Sequence, residues 1–222
     1  FFLCLIYFRV EKKRRATILV YNIDEQAEQA IGQFYEAFTP MMSCEGSWHV
    51  SSRTRAVSRK YNAGAENTVE RYKVKMRMKT PRYLQTNVQV PTLPVGQQTL
   101  YFFPDGVYVY SRREMERIPY GSISISQHNQ RFIEHEHIPK DGQVVGSTWQ
   151  YVNKSGGPDK RFNRNRKLPV MLYSVLTIQS TSGLAARIQF SSPGAAQALA
   201  DTFPYYKEAY FLTPANPYGP DA

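Results

Sequence analysis

The chain has 222 residues, of which 42% are hydrophobic and 21% charged, so it is too apolar for a disordered protein and long enough for one large or two small domains. Its 28 lysines and arginines outnumber its 18 acids, and the formal charge of +10 favours an anionic partner, although such a charge can also serve solubility alone. The two cysteines lie in different settings, Cys4 in an apolar stretch and Cys44 in a turn, which argues against a disulfide framework and fits a reducing compartment.

An apolar segment of eight residues opens the chain, and a basic cluster follows it at once. A bilayer-spanning helix needs about 20 apolar residues, so residues 1–8 are too short to cross a membrane alone. Because the chain begins with Phe1 rather than Met, we expect residues 1–15 to be the end of a longer transmembrane helix with a cytoplasmic basic flank. A buried strand is the alternative for residues 1–8. The flank consists of Arg9, Lys12, Lys13, Arg14 and Arg15.

Residues 16–94 are predicted to form a small, basic α/β domain. A β-branched run at 16–21 is followed by the capping side chains of residues 22–24, which predict a helix running towards Pro40. Apolar residues recur at helical spacing, so one face of this helix should pack on a sheet. Trp48 and Val50 indicate a returning strand. The apolar positions of the helix are Ala27, Ile31, Phe34, Tyr35 and Phe38.

The stretch 53–82 is strongly basic, with ten lysines and arginines against two acids. Within it, residues 72–78 alternate bulky apolar side chains with lysine or arginine, which predicts one strand with a charged face. That face is either a solvated sheet surface or an anion-binding surface. In the second case the contact residues are Arg71, Lys73, Lys75 and Arg77.

Residues 95–212 are predicted to form a second, β-rich domain that ends in one helix. Pro104, Asp105 and Gly106 have the turn chemistry of a hairpin between strands at 99–103 and 107–111. Further strands are predicted at 115–118, 122–126, 143–152, 169–179 and 184–190, and this succession indicates a sandwich or barrel. Ser192 and Pro193 predict the start of the closing helix. Residues 213–222 are predicted to be a loose tail.

The loop 153–167 concentrates cations against one acid, Asp159. Gly156 and Gly157 allow close approach of a partner to the backbone, and guanidinium groups suit phosphate or carboxylate. This loop is therefore the main candidate for an anion contact; alternatively, its cations only face water. The predicted contact residues are Lys154, Lys160, Arg161, Arg164, Arg166 and Lys167.

The sequence contains no motif that indicates catalysis. A nucleophile elbow, a zinc-binding H-E-x-x-H helix, a Walker-type loop and a dinucleotide fingerprint are all absent from it. His135 and His137 would share a face of a strand, but no third ligand stands out, so we predict neither a metal site nor a cofactor. A hydrolase or nuclease built around His135, His137 and Asp159 is kept as a third hypothesis.

The strands that end in one amphipathic helix, entered through the hairpin from Gln98 to Val109, resemble pleckstrin-homology-like (PH-like) and GRAM-like domains. The stretch from Ile118 to Ile123 looks like the passage between two strands of such domains, and the resemblance covers about residues 95–210. It implies a binding or scaffolding module associated with lipids or proteins. Residues 148–154, 156–162 and 165–169 look like a segment that recurs in uncharacterised bacterial proteins. The long charged loop replaces a short turn of many family members, so headgroup contacts do not transfer residue by residue.

These features predict a mainly β, α+β chain, in which a small β-α-β part precedes a PH-like β-sandwich or barrel capped by a C-terminal helix. The predicted function is that of a non-catalytic adaptor, scaffold or sensor, tethered to the cell membrane with its body in the cytoplasm. It would bind other protein subunits or an anionic lipid headgroup. The alternative is a nucleic-acid-binding domain that uses the basic stretch 53–82 and the loop 153–167.

Overall fold

The computed structural model describes residues 17–55, 63, 67–81, 84–112 and 114–212. The predicted transmembrane end and its flank (1–15) and the predicted tail (213–222) lie outside these ranges. The helices are α1 (Glu25–Glu36), α2 (Thr39–Ser43) and α3 (Gln197–Leu212). The strands are β1 (Thr17–Leu19), β2 (Ser47–Arg55), β3 (Asn67–Lys73), β4 (Arg77–Lys79), β5 (Leu84–Thr86), β6 (Val90–Val95), β7 (Gln98–Phe103), β8 (Gly106–Ser111), β9 (Glu114–Ile118), β10 (Ile123–Ile133), β11 (Gln143–Trp149), β12 (Lys167–Ser180) and β13 (Ala185–Phe190).

Two antiparallel sheets make up most of the structure, so the predicted mainly β, α+β class is confirmed. One sheet has the strand order β4-β6-β7-β8-β9, and the other has the order β10-β12-β13-β2-β3, with β11 also paired to β12. The predicted hairpin is confirmed, because β7 and β8 pair up to Phe103 and Gly106 around the turn. Strands β1 and β5 form a separate parallel pair.

The predicted domain boundary after residue 94 falls inside β6 (Val90–Val95). Strand β6 pairs with β7, and β2 pairs with β13 near the other end of the chain. Residues before and after the boundary therefore contribute strands to both sheets. One continuous apolar cluster joins side chains of α1, both sheets and α3.

Helix α1 begins where the capping residues predict it. The carboxylate of Asp24 accepts a hydrogen bond from the backbone N–H of Ala27 at 2.8 Å, as an N-cap should. Its buried face packs on α3, and the ring of Phe34 stacks on that of Tyr206 with centroids 4.1 Å apart. Tyr120 meets Phe34 edge to face at 5.5 Å. The aromatic periodicity of α1 therefore reflects core packing.

The predicted start of the closing helix at Ser192 is wrong, because α3 begins at Gln197. Gly194 has a φ of +73°, a left-handed conformation that a helix interior does not accept. Its N–H donates to the side chain of Asn129 at 3.1 Å, and the N–H of Ala196 donates to the hydroxyl of Ser174 at 3.3 Å. Contacts with distant strands thus hold this segment as a turn.

The prediction of a single strand over residues 72–78 is also wrong. Strand β3 ends at Lys73 in one sheet, and β4 begins at Arg77 in the other. Between them the backbone is anchored at Val74, whose N–H donates to the carbonyl of Ser47 at 2.9 Å. The hydroxyl of Ser47 donates to the carbonyl of Val74 at 2.7 Å. This segment is called the crossover (residues 74–76) below.

Candidate functional site

A groove of about 1140 Å³ runs along the crossover and the strands on either side of it. One side is formed by the end of β3, the crossover and β4, which contribute Tyr72, Lys73, Lys75, Arg77 and Lys79. Next to β4 in the same sheet, β6 and β7 contribute Thr92, Pro94, Thr99 and Tyr101, and Arg77 pairs directly with Thr92. We call it the basic groove, because its lining carries four cations and one acid, Glu45.

The four cations of the basic groove are Lys73, Lys75, Arg77 and Lys79, and all are exposed. Within the described ranges, none of them forms an ion pair with an acidic side chain. Tyr72 stands beside them and is 61% exposed. The groove therefore offers four unneutralised positive charges and an aromatic ring to a ligand.

Glu45 is the acidic residue that lines the basic groove, and other partners already hold its carboxylate. The backbone N–H of Lys140 donates to it at 2.6 Å, and the imidazole Nε2 of His137 lies 3.3 Å from it. The hydrogen bond from Lys140, followed by that from His137, lowers the pKa of Glu45. Glu45 therefore stays charged near neutral pH. Among the described residues, its carboxylate lies against His137 and forms no ion pair with any of the four cations.

Arg71 was predicted to contact an anionic partner, but its guanidinium lies inside the protein. Nη2 donates to both carboxylate oxygens of Glu134 at 2.8 Å, and the two side chains are only 10% and 1% exposed. The guanidinium carbon lies 4.2 Å from the ring centroid of Trp48 and 4.3 Å from that of Phe132. Arg71 is therefore held between two aromatic rings by a buried acid.

The loop 153–167, called the basic loop below, is built on its own hydrogen bonds. The Asn153 carboxamide oxygen accepts from the N–H groups of Ser155 and Gly157 at 3.0 and 2.9 Å. Asp159 is 4% exposed and accepts from the Nε and Nη2 atoms of Arg161 at 3.0 and 2.8 Å. Arg161, which was predicted to contact an anionic partner, therefore stabilises the loop through its ion pair with Asp159.

The remaining predicted cations of the basic loop are exposed. Nε of Arg166 donates to Gln150 at 3.1 Å, which leaves the guanidinium at the surface. Lys154, Lys160, Arg164 and Lys167 form no ion pair with any acid in the described part of the chain. These loop cations do not line the basic groove, whereas Lys73, Lys75, Arg77 and Lys79 all do.

Ala63 links the end of β11, just before the basic loop, to the connection between β2 and β3. Its N–H donates to the carbonyl of Gln150 at 3.2 Å, and its carbonyl accepts from the hydroxyl of Thr148 at 2.9 Å. The sequence near Ala63 includes Arg59 and Lys60. The basic stretch 53–82 therefore contacts, at this residue, the strand end that leads into the basic loop.

Each residue of the hydrolase hypothesis lies near a charged side chain. Asp159 is held by Arg161, and His137 lies against Glu45. Burial, with the nearby charge of Arg166, lowers the pKa of His135. Across the described ranges, no group of three or more His, Cys, Asp or Glu side chains is placed to hold a metal ion.

A second concavity of about 660 Å³ lies on the other side of the β6–β7 turn. His49, Arg112 and Glu114 contribute to its lining. The Nδ1 atom of His49 is buried without a hydrogen-bond partner, and burial lowers the pKa of this imidazole. Opposite charges from Arg112 and Glu114 leave this cavity without the net charge of the basic groove.

Sequence reasoning missed Lys79 as a member of the charged series and Glu134 as the partner of Arg71. The signal for Lys79 was present, because the two-residue spacing of Lys73, Lys75 and Arg77 continues to it. No local signal indicated Glu134, which is 63 residues from Arg71 in the chain.

None of the helices in the described ranges is both long enough and apolar enough to cross a membrane. The predicted membrane flank, Arg9 to Arg15, lies outside those ranges. Comparison of this chain with protein-family models, with curated proteins and with solved structures finds no match.

Proposed function

We propose that this chain is a non-catalytic interaction module that binds an acidic segment of a partner protein in the basic groove. The observation that supports this proposal is the row of four exposed cations that line one concavity, none of which forms an ion pair with an acid in the described part of the chain. Electrostatic complementarity of this kind steers and selects an acidic partner. The groove volume, about 1140 Å³, exceeds what one headgroup needs and suits several residues of a peptide.

A PH-like fold for the C-terminal part belongs to the same proposal. Strands β6 to β9 follow one another in an antiparallel meander, β10, β12 and β13 then form three neighbours in the second sheet, and α3 ends the succession. This order supports a PH-like module. The chain adds β2 and β3 to the second sheet and inserts β11 with the basic loop between β10 and β12.

Attachment to the cytoplasmic face of a membrane is the second part of the proposal. It is supported by the apolar residues 1–8 and by the cations that follow them. Fractionation of the full-length protein tests it. We expect the protein to stay in the membrane pool after a carbonate wash, with its body accessible to protease only from the cytoplasmic side; release by carbonate would refute the tether.

Nucleic-acid binding is a second candidate function, favoured by the junction at Ala63. That junction joins the strand end before the basic loop to a connection that carries Arg59 and Lys60, and the two segments together would give a phosphate backbone more than one set of contacts. The basic groove is not required for this function. The two candidates therefore predict different effects of substitutions at the two surfaces.

Two triple variants with the same change of charge separate the candidates. The groove variant carries Lys73→Ala, Lys75→Ala and Arg77→Ala, and the loop variant carries Lys154→Ala, Lys160→Ala and Arg164→Ala. Each exposed ion pair contributes about 0.2–1 kcal/mol, and weak screening at low ionic strength favours the upper part of this range, so the groove variant should bind a labelled decaglutamate peptide about thirtyfold more weakly than the wild type. The loop variant should bind it almost unchanged.

Fluorescence anisotropy at low ionic strength measures both variants against decaglutamate and against a 16-nucleotide oligothymidine. Equal loss of decaglutamate binding in the two variants would contradict the groove as the binding site. Tight oligothymidine binding that only the loop variant loses would replace the proposal with nucleic-acid binding. Thermal unfolding of each variant checks that the fold is intact.

A further inference from the structure

Three cations of the basic groove, Lys73, Lys75 and Arg77, alternate with residues that face inwards. Val74 is half-buried and Met76 is 2% exposed, and both pack against the main apolar cluster. In an extended chain, alternate side chains point to opposite sides. The inward positions of Val74 and Met76 therefore direct these three cations outwards. Met78 is 37% exposed, so Lys79 belongs to the row through its own exposure and its place in the groove lining.

The backbone that carries these cations is fixed on both sides of the crossover. Lys73 is paired with Trp48 in the β2–β3 ladder, and Arg77 is paired with Thr92 in the β4–β6 ladder. Ser47 holds Val74 between them through two hydrogen bonds of 2.9 and 2.7 Å. The spacing of the charges is thus built into the fold before any ligand arrives, which reduces the ordering that binding requires.

The spacing defines the ligand. The backbone from Lys73 through the crossover to Lys79 contains no turn or bend. Alternate residues of such an extended chain are about 6.6–6.8 Å apart, so the four cations span roughly 20 Å. A second extended chain laid beside them repeats the same spacing at every second residue. The neighbouring strands β6 and β7 contribute Thr92, Pro94, Thr99 and Tyr101, which carry no charge and accept the residues in between without selecting their charge.

We infer that the ligand is an extended protein segment with an acidic side chain at every second position, four acids in seven residues. This inference rests on the function proposed above and adds the conformation and charge pattern of the partner. An extended segment whose four acids stand in one block would place about two of them against the row, because alternate side chains of an extended chain point to opposite sides.

Two labelled heptapeptides of identical composition test the inference with the full chain. One alternates four glutamates with three threonines, and the other carries the four glutamates in one block followed by the threonines. In an extended conformation the block directs only about half of its acids towards the groove. The loss of two exposed ion pairs corresponds to about tenfold weaker binding. We expect the alternating peptide to bind about tenfold more tightly than the clustered one.

A charge exchange shows that any lost binding reflects charge and not misfolding. The reversed variant carries Lys73→Glu, Lys75→Glu and Arg77→Glu, and it should lose the glutamate peptide and gain binding of a heptapeptide that alternates lysine with threonine. The groove cations are exposed, so their replacement leaves the core intact. The corresponding loop variant Lys154→Glu, Lys160→Glu, Arg164→Glu, which changes the net charge by the same amount, is the control for net charge.

The outcomes distinguish this inference from the proposed function. Tighter binding of the alternating peptide that the reversed variant loses supports both. Equal binding of the two glutamate peptides, lost in the reversed variant, overturns the alternating pattern and leaves the groove as an acidic-peptide site. Binding of neither peptide overturns both. Groove-dependent binding of phosphatidylserine vesicles without peptide binding also overturns both and identifies lipid headgroups as the ligand.

Discussion

Replacement of Glu134 by glutamine should destabilise the protein strongly, because Glu134 neutralises the buried Arg71. The carboxylate accepts hydrogen bonds from the guanidinium at 2.8 Å to each oxygen and from the hydroxyl of Tyr173 at 2.8 Å. It also accepts from the backbone N–H groups of His135 and Glu136 at 3.1 and 3.2 Å. Glutamine keeps the shape but removes the charge and replaces one acceptor with a donor.

The magnitude follows from the environment of the pair. Removal of one partner from a buried ion pair costs about 3–5 kcal/mol, since the other charge stays buried. Arg71 keeps its contacts with the rings of Trp48 and Phe132 in the variant, so we expect the lower end of the range, about 3 kcal/mol. With a urea m-value of about 2 kcal/mol/M, the midpoint should fall by about 1.5 M.

Urea denaturation followed by tryptophan fluorescence measures this change. Glu136→Gln is the matched control, because Glu136 is the exposed neighbour, and it should shift the free energy of unfolding by less than about 0.5 kcal/mol. The double variant Arg71→Met, Glu134→Leu should be more stable than Glu134→Gln, since it leaves no buried charge. Equal midpoints for Glu134→Gln and Glu136→Gln would refute the buried pair as a determinant of stability.

Three further substitutions test the core, the α3 contact and the response to pH. Phe34→Ala removes a fully buried ring from the α1–α3 stack and should cost about 3–5 kcal/mol in chemical denaturation; a loss below about 1 kcal/mol would contradict the packing. Tyr206→Phe removes a 2.8 Å hydrogen bond to the carbonyl of Pro104 and should lower the free energy of unfolding by about 1 kcal/mol, whereas an unchanged value would show that the bond adds nothing. Burial lowers the pKa of His49 from its ordinary 6.5, so the unfolded chain binds the proton first, and stability should fall as the pH drops below about 6.5 towards the lower pKa of the folded state. His49→Gln should show a shallower decline over this range in pH-dependent denaturation, and identical slopes would contradict the assignment.

Local chemistry made part of the fold predictable. The turn of Pro104 and Asp105 before Gly106 limits the backbone conformations available, and the structure has the β7–β8 hairpin there. Asp24 caps α1 with the predicted geometry, and the spacing of Ile31, Phe34 and Tyr35 identified its buried face. These features depend on residues close together in the chain, so their sequence signals were sufficient.

Features that depend on distant residues were not predictable in this way. The alternation at 72–78 indicates extended backbone but does not say that the chain leaves one sheet for another, which Ser47 helps to fix at Val74. Arg71 looked like a surface cation because Glu134 is remote in sequence. Ser192 has a capping side chain, yet tertiary hydrogen bonds at Gly194 hold that segment as a turn and delay α3.

The groove depends on residues that are distant in the chain. The sequence identified Lys73, Lys75 and Arg77 as cations on one face, but the uncharged residues beside them come from β6 and β7. The basic loop had the higher density of charge in the sequence, and its Asp159–Arg161 pair proves to be part of its own support. Charge density alone therefore does not identify the concave surface.

Photo-cross-linking tests the central claim, that the basic groove holds the acidic segment, most directly. Benzoylphenylalanine replaces Tyr72 at the groove in one variant and Tyr205 on α3 in another, two exposed tyrosines at 61% and 74%. We expect the biotinylated alternating glutamate peptide to be cross-linked from position 72, with the label lost when Lys73, Lys75 and Arg77 are changed to glutamate, and not from position 205. Equal labelling from both positions, or labelling at 72 that survives the charge reversal, would contradict the groove as the binding site.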